Sequence, residues 1–135
     1  MKELFDVHCH MVPGVDDGAA DLEESLEMLK MQHEDGVRKI IITPHYRRRM
    51  FETPAKKVHE QFLKLQEAAK KEYPDMSLYL GCELHSNMDL QDILEKRKYV
   101  TMAGSSYVLL EFSEGDSAQH IRERVYNVLS CGYEP

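Results

Sequence analysis

Short apolar runs alternate with helical patterns along the chain, and the alternation occurs four times. The runs cover Leu4–His10, Lys39–Thr43, Ser77–Glu83 and Ser106–Phe112. After each run, apolar residues recur at intervals of three and four, which predicts an amphipathic helix. A strand followed by a helix, four times over, favours an α/β fold in which parallel strands are joined by right-handed crossovers.

Capping and stop signals predict where the first two helices begin and end. Asp21, with Glu24 three residues later, resembles a capping box, and Gly36 ends the first helix. Thr53 followed by Pro54 is typical of an N-cap and a first helical position. The apolar residues of this second helix should form its buried stripe, which comprises Val58, Phe62, Leu65 and Ala69.

The third predicted helix has a weaker signal than the fourth. The third is predicted from about Asp89 to Lys98, and the fourth from Ser117 to Ser130 with Gly132 as its C-terminal cap. The fourth helix should direct four apolar side chains inward, namely Ile121, Val125, Val128 and Leu129.

Composition removes several functional classes. No apolar stretch approaches the roughly 20 residues needed to span a bilayer, and no signal-peptide pattern is present, so we expect no membrane insertion. A formal net charge of −7 disfavours a general nucleic-acid binder, which needs a basic face. Cys9, Cys82 and Cys131 form no CxxC pair, which favours a cytoplasmic protein over a disulfide-bonded one.

Four units leave two architectures open. A closed barrel of strand–helix units takes about eight units and roughly 250 residues, whereas four units use all 135 residues of this chain. The sequence stops at Tyr133–Pro135, where a fifth strand should begin. The chain is therefore predicted to be either a small open sheet or the first part of a barrel.

Each predicted strand ends with an imidazole or a carboxylate. In parallel α/β folds, the loops at the carboxyl ends of the strands build the functional site. Positions two apart on a strand share a face, so the first two histidines could chelate one ion while Val7 and Cys9 pack the other way. Imidazole and carboxylate ligands suit manganese, iron or zinc. The candidate ligands are His8, His10, His45, Glu83 and Glu111.

Two further features lie beside these strand ends. Asp16 and Asp17 follow the first strand closely enough for either to add an oxygen ligand, although turn aspartates are also common. Arg47, Arg48 and Arg49 follow His45, and three fixed cations beside a metal cluster suit a phosphorylated, anionic substrate. Neither a cysteine followed six residues later by an arginine nor a GxxxxGK[ST] phosphate loop occurs.

The order of these motifs resembles that of the polymerase and histidinol phosphatase (PHP) superfamily. The similarity rests on HCH at 8–10, VDDG at 15–18, TPH at 43–45, GCE at 81–83 and LEF at 110–112. Within that superfamily, the phrases HCHMVPGVDDGA, ITPHYR and MFETP resemble the metal-dependent bacterial tyrosine phosphatases of capsule and exopolysaccharide loci. The resemblance covers essentially the whole chain.

The resemblance implies a fold, a cofactor and a substrate. The fold would be a distorted, TIM-like (β/α)7 barrel, of which residues 1–135 would form a single PHP-type domain with about four units. The cofactor would be a cluster of up to three ions, usually manganese or iron. His8, His10 and Glu83 would hold the first ion, Glu83 and Glu111 the second, and Asp17 with His45 the third. The substrate would be phosphotyrosine on an autophosphorylating bacterial tyrosine kinase.

The chain departs from the family at its C-terminal side. Family members continue with one strand carrying a His and an Arg, and with a last strand carrying an Asp and a His. A chain without these strands is expected to hold metal weakly, to have low activity, and to form homo-oligomers through its exposed fourth strand.

Three alternatives to the phosphotyrosine assignment stay open at this point. One is a weakly active metal-binding or self-associating module, and another is a phosphatase for small phosphomonoesters of the histidinol-phosphate type. The third is an amidohydrolase barrel, which shares the HxH motif. Glu83 after Gly81 and Cys82 fits the PHP pattern better.

Overall fold

The structure is a computed structural model that describes residues 3–135, and it has a mixed α/β fold with four helices and parallel sheets. This confirms the predicted α/β class and the alternation of strands with helices. The elements are β1 Leu4–Asp6, α1 Leu22–Glu34, β2 Val37–Ile42, β3 His45–Tyr46, α2 Ala55–Glu72, β4 Ser77–Leu80, β5 Glu83–His85, α3 Leu90–Lys96, a 3-10 turn Met102–Gly104, β6 Leu109–Glu111 and α4 Ala118–Ser130.

The strands form two parallel three-stranded sheets, with orders β1-β2-β4 and β3-β5-β6. Thr43–Pro44 separates β2 from β3, which lies outside the predicted second strand, and Gly81–Cys82 divides the third predicted strand into β4 and β5. Hydrogen bonds cross the gaps, since Gly81 N donates to Ile42 O at 2.8 Å and Glu83 N donates to Pro44 O at 3.0 Å. The chain thus runs from β2 into β3 and from β4 into β5, and these two stretches stay hydrogen-bonded to each other between the two sheets.

Two apolar cores lie under the helices. The first core packs α1 and α2 against β2 and β4, and it includes Leu29, Ile40 and Leu65 at zero exposure. All four residues of the predicted α2 stripe are buried, which confirms that prediction. The second core packs α3 and α4 against β5 around Leu84 and Leu90.

The first strand is shorter than predicted. It ends at Asp6, whose carboxylate accepts a hydrogen bond from His8 N at 3.0 Å, so residues 7–10 leave the sheet. Val7 is exposed rather than packed inward, whereas Cys9 packs against the first core. Strand alternation is therefore not what brings His8 and His10 together.

The predicted helix caps are partly confirmed. The Asp21 carboxylate accepts from Glu24 N at 2.9 Å, as expected for the capping box. Gly132 follows α4 with φ +84, a left-handed conformation that glycine adopts without strain. Thr53 does not cap α2, because its hydroxyl donates to Val15 O at 2.8 Å and Pro54 occupies the N-cap position.

The inward stripe predicted for α4 was mostly wrong. Val128 is fully buried, but Ile121 and Leu129 are exposed. Within residues 3–135, α4 has packing contacts with α3 and the second core and leaves its remaining apolar side open. Sequence periodicity identifies an apolar face without specifying what covers it.

The last described residues pair beside the fourth predicted strand. Glu134 N donates to Ser106 O at 2.9 Å, and Val108 N donates to Glu134 O at 2.8 Å, which makes a parallel bridge. This placement agrees with the expectation that a further parallel strand begins here. Among the described residues, no helix combines the length and the apolar character that crossing a bilayer requires.

Candidate metal centre

His8, His10 and Glu83 converge at the carboxyl ends of the strands. Glu83 Oε2 lies 3.1 Å from His10 Nε2 and 3.8 Å from His8 Nε2. The two imidazole rings are perpendicular, with centroids 5.1 Å apart. Three donor atoms from two separate chain segments thus face a common point.

His45 links this group to two further carboxylates. Its Nδ1 lies 3.2 Å from Glu83 Oε2 and 3.4 Å from Glu111 Oε2, and its Nε2 lies 3.5 Å from Asp17 Oδ1. The described residues therefore contain three overlapping sets of possible ligands, each with donor atoms within 4.8 Å of one another. The sets are His8–His10–Glu83, His10–Asp17–His45 and His45–Glu83–Glu111.

Parallel register positions the carboxylates. His45 of β3 pairs with Glu83 of β5, and Glu111 of β6 lies beside His85 of β5, two residues further along the strand. Residues two apart on a strand point to the same face, so Glu83 and Glu111 project to the same side of this sheet. The β3-β5-β6 sheet is therefore the rigid part of the cluster.

Hydrogen bonds orient the two histidines that lie outside the sheet. His8 Nδ1 lies 2.6 Å from Thr43 Oγ1, which in turn is 3.4 Å from Cys9 O. His10 Nδ1 lies 2.9 Å from Asp16 Oδ2. When each Nδ1–H donates to its oxygen, the Nε2 atom of each ring faces Glu83, which is the arrangement typical of metal-ligating histidines.

Besides the residue types, the burial and spacing of three polar atoms indicate a site for a divalent cation. His45 Nδ1, Glu83 Oε2 and Glu111 Oε2 are buried and have no hydrogen-bond partner within residues 3–135. The imidazole nitrogen lies 3.2 Å from the Glu83 oxygen and 3.4 Å from the Glu111 oxygen. Buried polar atoms without partners are costly. With ligand bonds of about 2.1 Å, adjacent ligands of one ion stand roughly 3.0–3.4 Å apart, so these separations match ligands of a shared ion.

A neutral imidazole offers only one lone pair, which limits His45 to one ion at a time. His45 can serve through Nε2 beside Asp17, or through Nδ1 beside Glu83 and Glu111. If His45 binds an ion through Nε2, the ion near Glu83 and Glu111 has only these two carboxylates of that ligand set.

The cluster's charges stabilise one another. The hydrogen bond with Asp16, followed by the nearby Glu83 carboxylate, raises the pKa of His10 to about 10. Burial opposes ionisation of Asp16, but hydrogen bonds from His10 and from the backbone of His45 and Gly18 hold the pKa of that carboxyl below its usual value. Burial also opposes ionisation of Glu83, and the neighbouring histidines still lower its pKa. Both carboxylates are thus ionised near neutral pH, and that of Glu83 faces the candidate ligand atoms.

The two adjacent aspartates have different environments. The Asp16 side chain is fully buried; Oδ2 accepts from His45 N at 2.9 Å and Oδ1 accepts from Gly18 N at 3.0 Å. Asp17 is exposed and faces His45. Asp16 has no oxygen free for an ion, so the structure favours Asp17 as the ligand and Asp16 as the residue that orients His10.

Asp16→Asn is expected to weaken metal binding by about 10- to 100-fold without unfolding the chain. An amide has only one acceptor oxygen, so its NH2 group must face either Gly18 N–H or the pair formed by His45 N–H and His10 Nδ1. When the NH2 group faces His10 Nδ1, it donates to that nitrogen and so favours the His10 tautomer that carries its proton on Nε2, the atom that faces Glu83. Isothermal titration with Mn²⁺ measures the change.

Asp21→Asn is the matched control, because Asp21 also accepts a backbone hydrogen bond but caps α1 away from the cluster. Asparagine caps helices as well as aspartate does. Equal Mn²⁺ affinities for the two variants would contradict the orienting role of Asp16.

The three arginines do not share one location. Arg47 Nη1 lies 3.5 Å from Glu111 Oε1, at the edge of the cluster. Arg48 and Arg49 are exposed on the loop after β3, and neither forms an ion pair within residues 3–135. Only Arg47 is thus brought to the donor set.

Sequence reasoning missed two contributors to the site. Phe51 stacks on His45, with ring centroids 5.0 Å apart and planes 11° from parallel. Gly18 lies so close to His10 that a Cβ atom there would be 2.0 Å from His10 O. The glycine after two aspartates could have suggested a close approach, whereas nothing local indicates the Phe51 contact.

The remaining histidines lie elsewhere. His85 is buried with Nε2 3.1 Å from Ser113 Oγ, His33 is paired with Asp75, and His59 stacks on Tyr99. His120 lies beside Ser86. None of these belongs to the three ligand sets of the described chain.

The sequence is similar to known proteins over almost its whole length. Residues 4–135 match the family described as "Capsular polysaccharide synthesis, CpsB/CapC". The chain is 39% identical over 132 residues to the tyrosine-protein phosphatase CpsB of Streptococcus pneumoniae, covering 98% of this chain and 54% of that protein. It is 29% identical to the tyrosine-protein phosphatase YwqE of Bacillus subtilis, covering 52% of that protein.

A solved structure extends the similarity to the fold. It comes from work on YwqE of Bacillus subtilis and CpsB of Streptococcus pneumoniae, described as unique metal-dependent tyrosine phosphatases. The TM-score is 0.85 at 28% identity, over 96% of this chain and 53% of the solved chain. The chain thus spans about half the length of the curated relatives it matches.

Proposed function

The chain belongs to the CpsB/CapC family of capsular polysaccharide synthesis proteins, and from this we propose that it contributes to metal-dependent hydrolysis of phosphotyrosine in proteins. The observation that carries the proposal is that three buried atoms, His45 Nδ1, Glu83 Oε2 and Glu111 Oε2, lie close together and have no hydrogen-bond partner in the described part of the chain. The reaction class is that of the relatives, which are named tyrosine-protein phosphatases.

The proposed ligands are His8, His10, Asp17, His45, Glu83 and Glu111. When bound, divalent cations supply charge stabilisation to phosphate oxygens and make water a stronger nucleophile near neutral pH. The chain's own part is to hold the donor atoms in place through Thr43 and Asp16. Manganese is the proposed metal, with iron and zinc as alternatives, in up to three positions.

Residues around the cluster are suited to the substrate. Arg47 is placed to donate hydrogen bonds to phosphate oxygens, since its guanidinium already lies beside Glu111. Arg48 and Arg49 add exposed positive charge on the same loop and are proposed to attract the phosphorylated segment. Phe51 covers one face of His45 and limits access of water to the ligand.

The finer architecture and the partners are also proposals. Residues 1–135 are proposed to form a single PHP-type domain, the first part of a distorted (β/α)7 barrel, in which a further strand would pair beside Tyr107 and Glu134. The proposed partner is an autophosphorylating tyrosine kinase in the cytoplasm. The exposed apolar residues Phe5, Ile121 and Leu129 support self-association, which light scattering would detect as a dimer.

Release of phosphate from a phosphotyrosine peptide tests the reaction. We expect Mn²⁺-dependent turnover, at low rate, that is lost with a chelator and falls by at least about 100-fold in His8→Ala because that variant lacks one ligand of the first set. His33→Ala, which removes an imidazole that pairs with Asp75 outside the ligand sets, serves as the control. Turnover that survives both the chelator and His8→Ala would refute metal-dependent hydrolysis.

A further inference from the structure

A pocket of about 630 Å³ lies on the outer side of β3, away from the metal-ligand cluster. Tyr46 lines it and directly follows His45, and successive residues of a strand point to opposite faces. The start of α2 and the end of α3 form its other sides. We call it the basic pocket, and its walls include Tyr46, Lys56, His59, Arg97, Lys98 and Tyr99.

Arg97 is held rigidly in this pocket. Its guanidinium carbon lies 3.6 Å from the centroid of the Tyr46 ring, and Nη2 donates to Thr53 O at 2.9 Å. Both contacts fix the side chain before any ligand arrives, which lowers the entropic cost of binding. A guanidinium carries five N–H donors, and the bond to Thr53 O uses one of them.

Two positive charges of the basic pocket are unmatched. Lys96 pairs with Asp92, and Lys56 Nζ lies 3.9 Å from Glu60. In contrast, neither Arg97 nor Lys98 has a carboxylate within 4.0 Å in the described part of the chain. A local excess of positive charge is unexpected in a protein with a net charge of −7, and it favours an anionic ligand.

The start of α2 adds donors on the same side. Pro54 occupies the N-cap, no side chain caps the helix, and its first turn contains no acidic residue. The 18-residue helix therefore presents first-turn N–H groups and the positive end of its dipole without compensation. Ala55 and Lys56, which carry two of these N–H groups, line the pocket.

The aromatic wall is held at an energetic cost. Tyr99 has φ +65, a left-handed conformation that disfavours side chains with a Cβ, and its ring stacks on His59 at 4.2 Å with planes 8° from parallel. Such strained residues are concentrated at functional sites. The stack leaves a flat aromatic surface next to Arg97 and Lys98.

We propose that the basic pocket is a second anion site that binds a phosphate group through Arg97, Lys98 and the first-turn N–H groups of α2. The site neither uses the metal ligands nor depends on the proposed hydrolysis. Binding should therefore persist in metal-free protein and in Glu83→Gln.

Titration of the chelator-treated chain with inorganic phosphate, followed by NMR, tests the site. Saturable shifts are expected at the amides of Ala55, Lys56 and Lys98. Lys98→Gln removes an exposed charge that contributes nothing to the core, and it should weaken binding by about 5-fold or more. Arg97→Gln should weaken binding by about 10-fold or more. Lys64→Gln, an exposed charge elsewhere on α2, should leave it unchanged.

A second titration with O-phosphotyrosine separates the sources of the phosphate group. Equal affinity for the two ligands would indicate a site for free phosphate. Tighter binding of phosphotyrosine, with shifts at the Tyr99 and His59 rings, would indicate a site for the substrate's ring and phosphate. Absence of saturable shifts, or equal affinity in wild type and Lys98→Gln, would overturn the proposal.

Discussion

Glu83→Gln is expected to abolish the stabilisation that Mn²⁺ gives to this chain. One oxygen of Glu83 lies 3.1 Å from His10 Nε2 and 3.2 Å from His45 Nδ1, and Glu83 belongs to two of the three ligand sets. Glutamine offers a single neutral oxygen, which neither carries charge to the ions nor bridges two of them. The substitution should therefore remove the central ligand of the cluster.

Thermal unfolding measures this effect. Mn²⁺ at about 100 times its dissociation constant should stabilise the wild type by about 2.7 kcal/mol, which corresponds to a rise in Tm of roughly 10 °C for a chain of this size. Glu83→Gln should show almost no rise. Glu67→Gln, which makes the same change on an exposed part of α2, should respond as the wild type does. A full Mn²⁺ response in Glu83→Gln would exclude Glu83 as a ligand.

Gly18→Ala is expected to be the most damaging glycine substitution in the chain. An added Cβ would lie 2.0 Å from His10 O, 2.5 Å from His10 Cβ and 2.8 Å from His10 C. These are mainly backbone atoms, so the 16–18 loop and His10 must separate, at a cost of about 1–3 kcal/mol or more. His10 belongs to two ligand sets, and Mn²⁺ affinity should fall by about 100-fold.

Gly115→Ala is the matched control, because a Cβ at Gly115 meets nothing within 4 Å and its φ is not positive. Chemical denaturation and Mn²⁺ titration on both variants report the free energy of unfolding and the affinity. If Gly18→Ala matches Gly115→Ala in both measurements, the close approach to His10 does not hold the site together.

Much of the fold could be predicted because its signals are local. The α2 stripe and the Asp21 cap depend on residues within one or two helical turns, and both occur as expected. The candidate ligands could also be predicted, because chemistry at the ends of parallel strands follows from the α/β pattern itself. The structure places the five strand-end candidates in the three overlapping sets, together with Asp17, which the family resemblance had implied.

The failed predictions depend on contacts between residues distant in sequence. Thr53 looked like a cap, but its hydroxyl finds Val15, 38 residues away. β1 ends at Asp6, and in the segment that follows Cys9 O accepts a hydrogen bond from Thr43 N, 34 residues away. The open choice between Asp16 and Asp17 likewise needed the position of His45, 29 residues from Asp16. A local pattern contains none of this information.

The most direct test of the metal cluster is anomalous diffraction from crystals of the chain grown with Mn²⁺, measured on both sides of the manganese absorption edge. Manganese peaks are expected at about 2.0–2.3 Å from the donor atoms of Glu83 and its neighbouring histidines. Manganese bound only elsewhere, with the His10, His45 and Glu83 side chains retaining the distances reported above, would contradict this expectation.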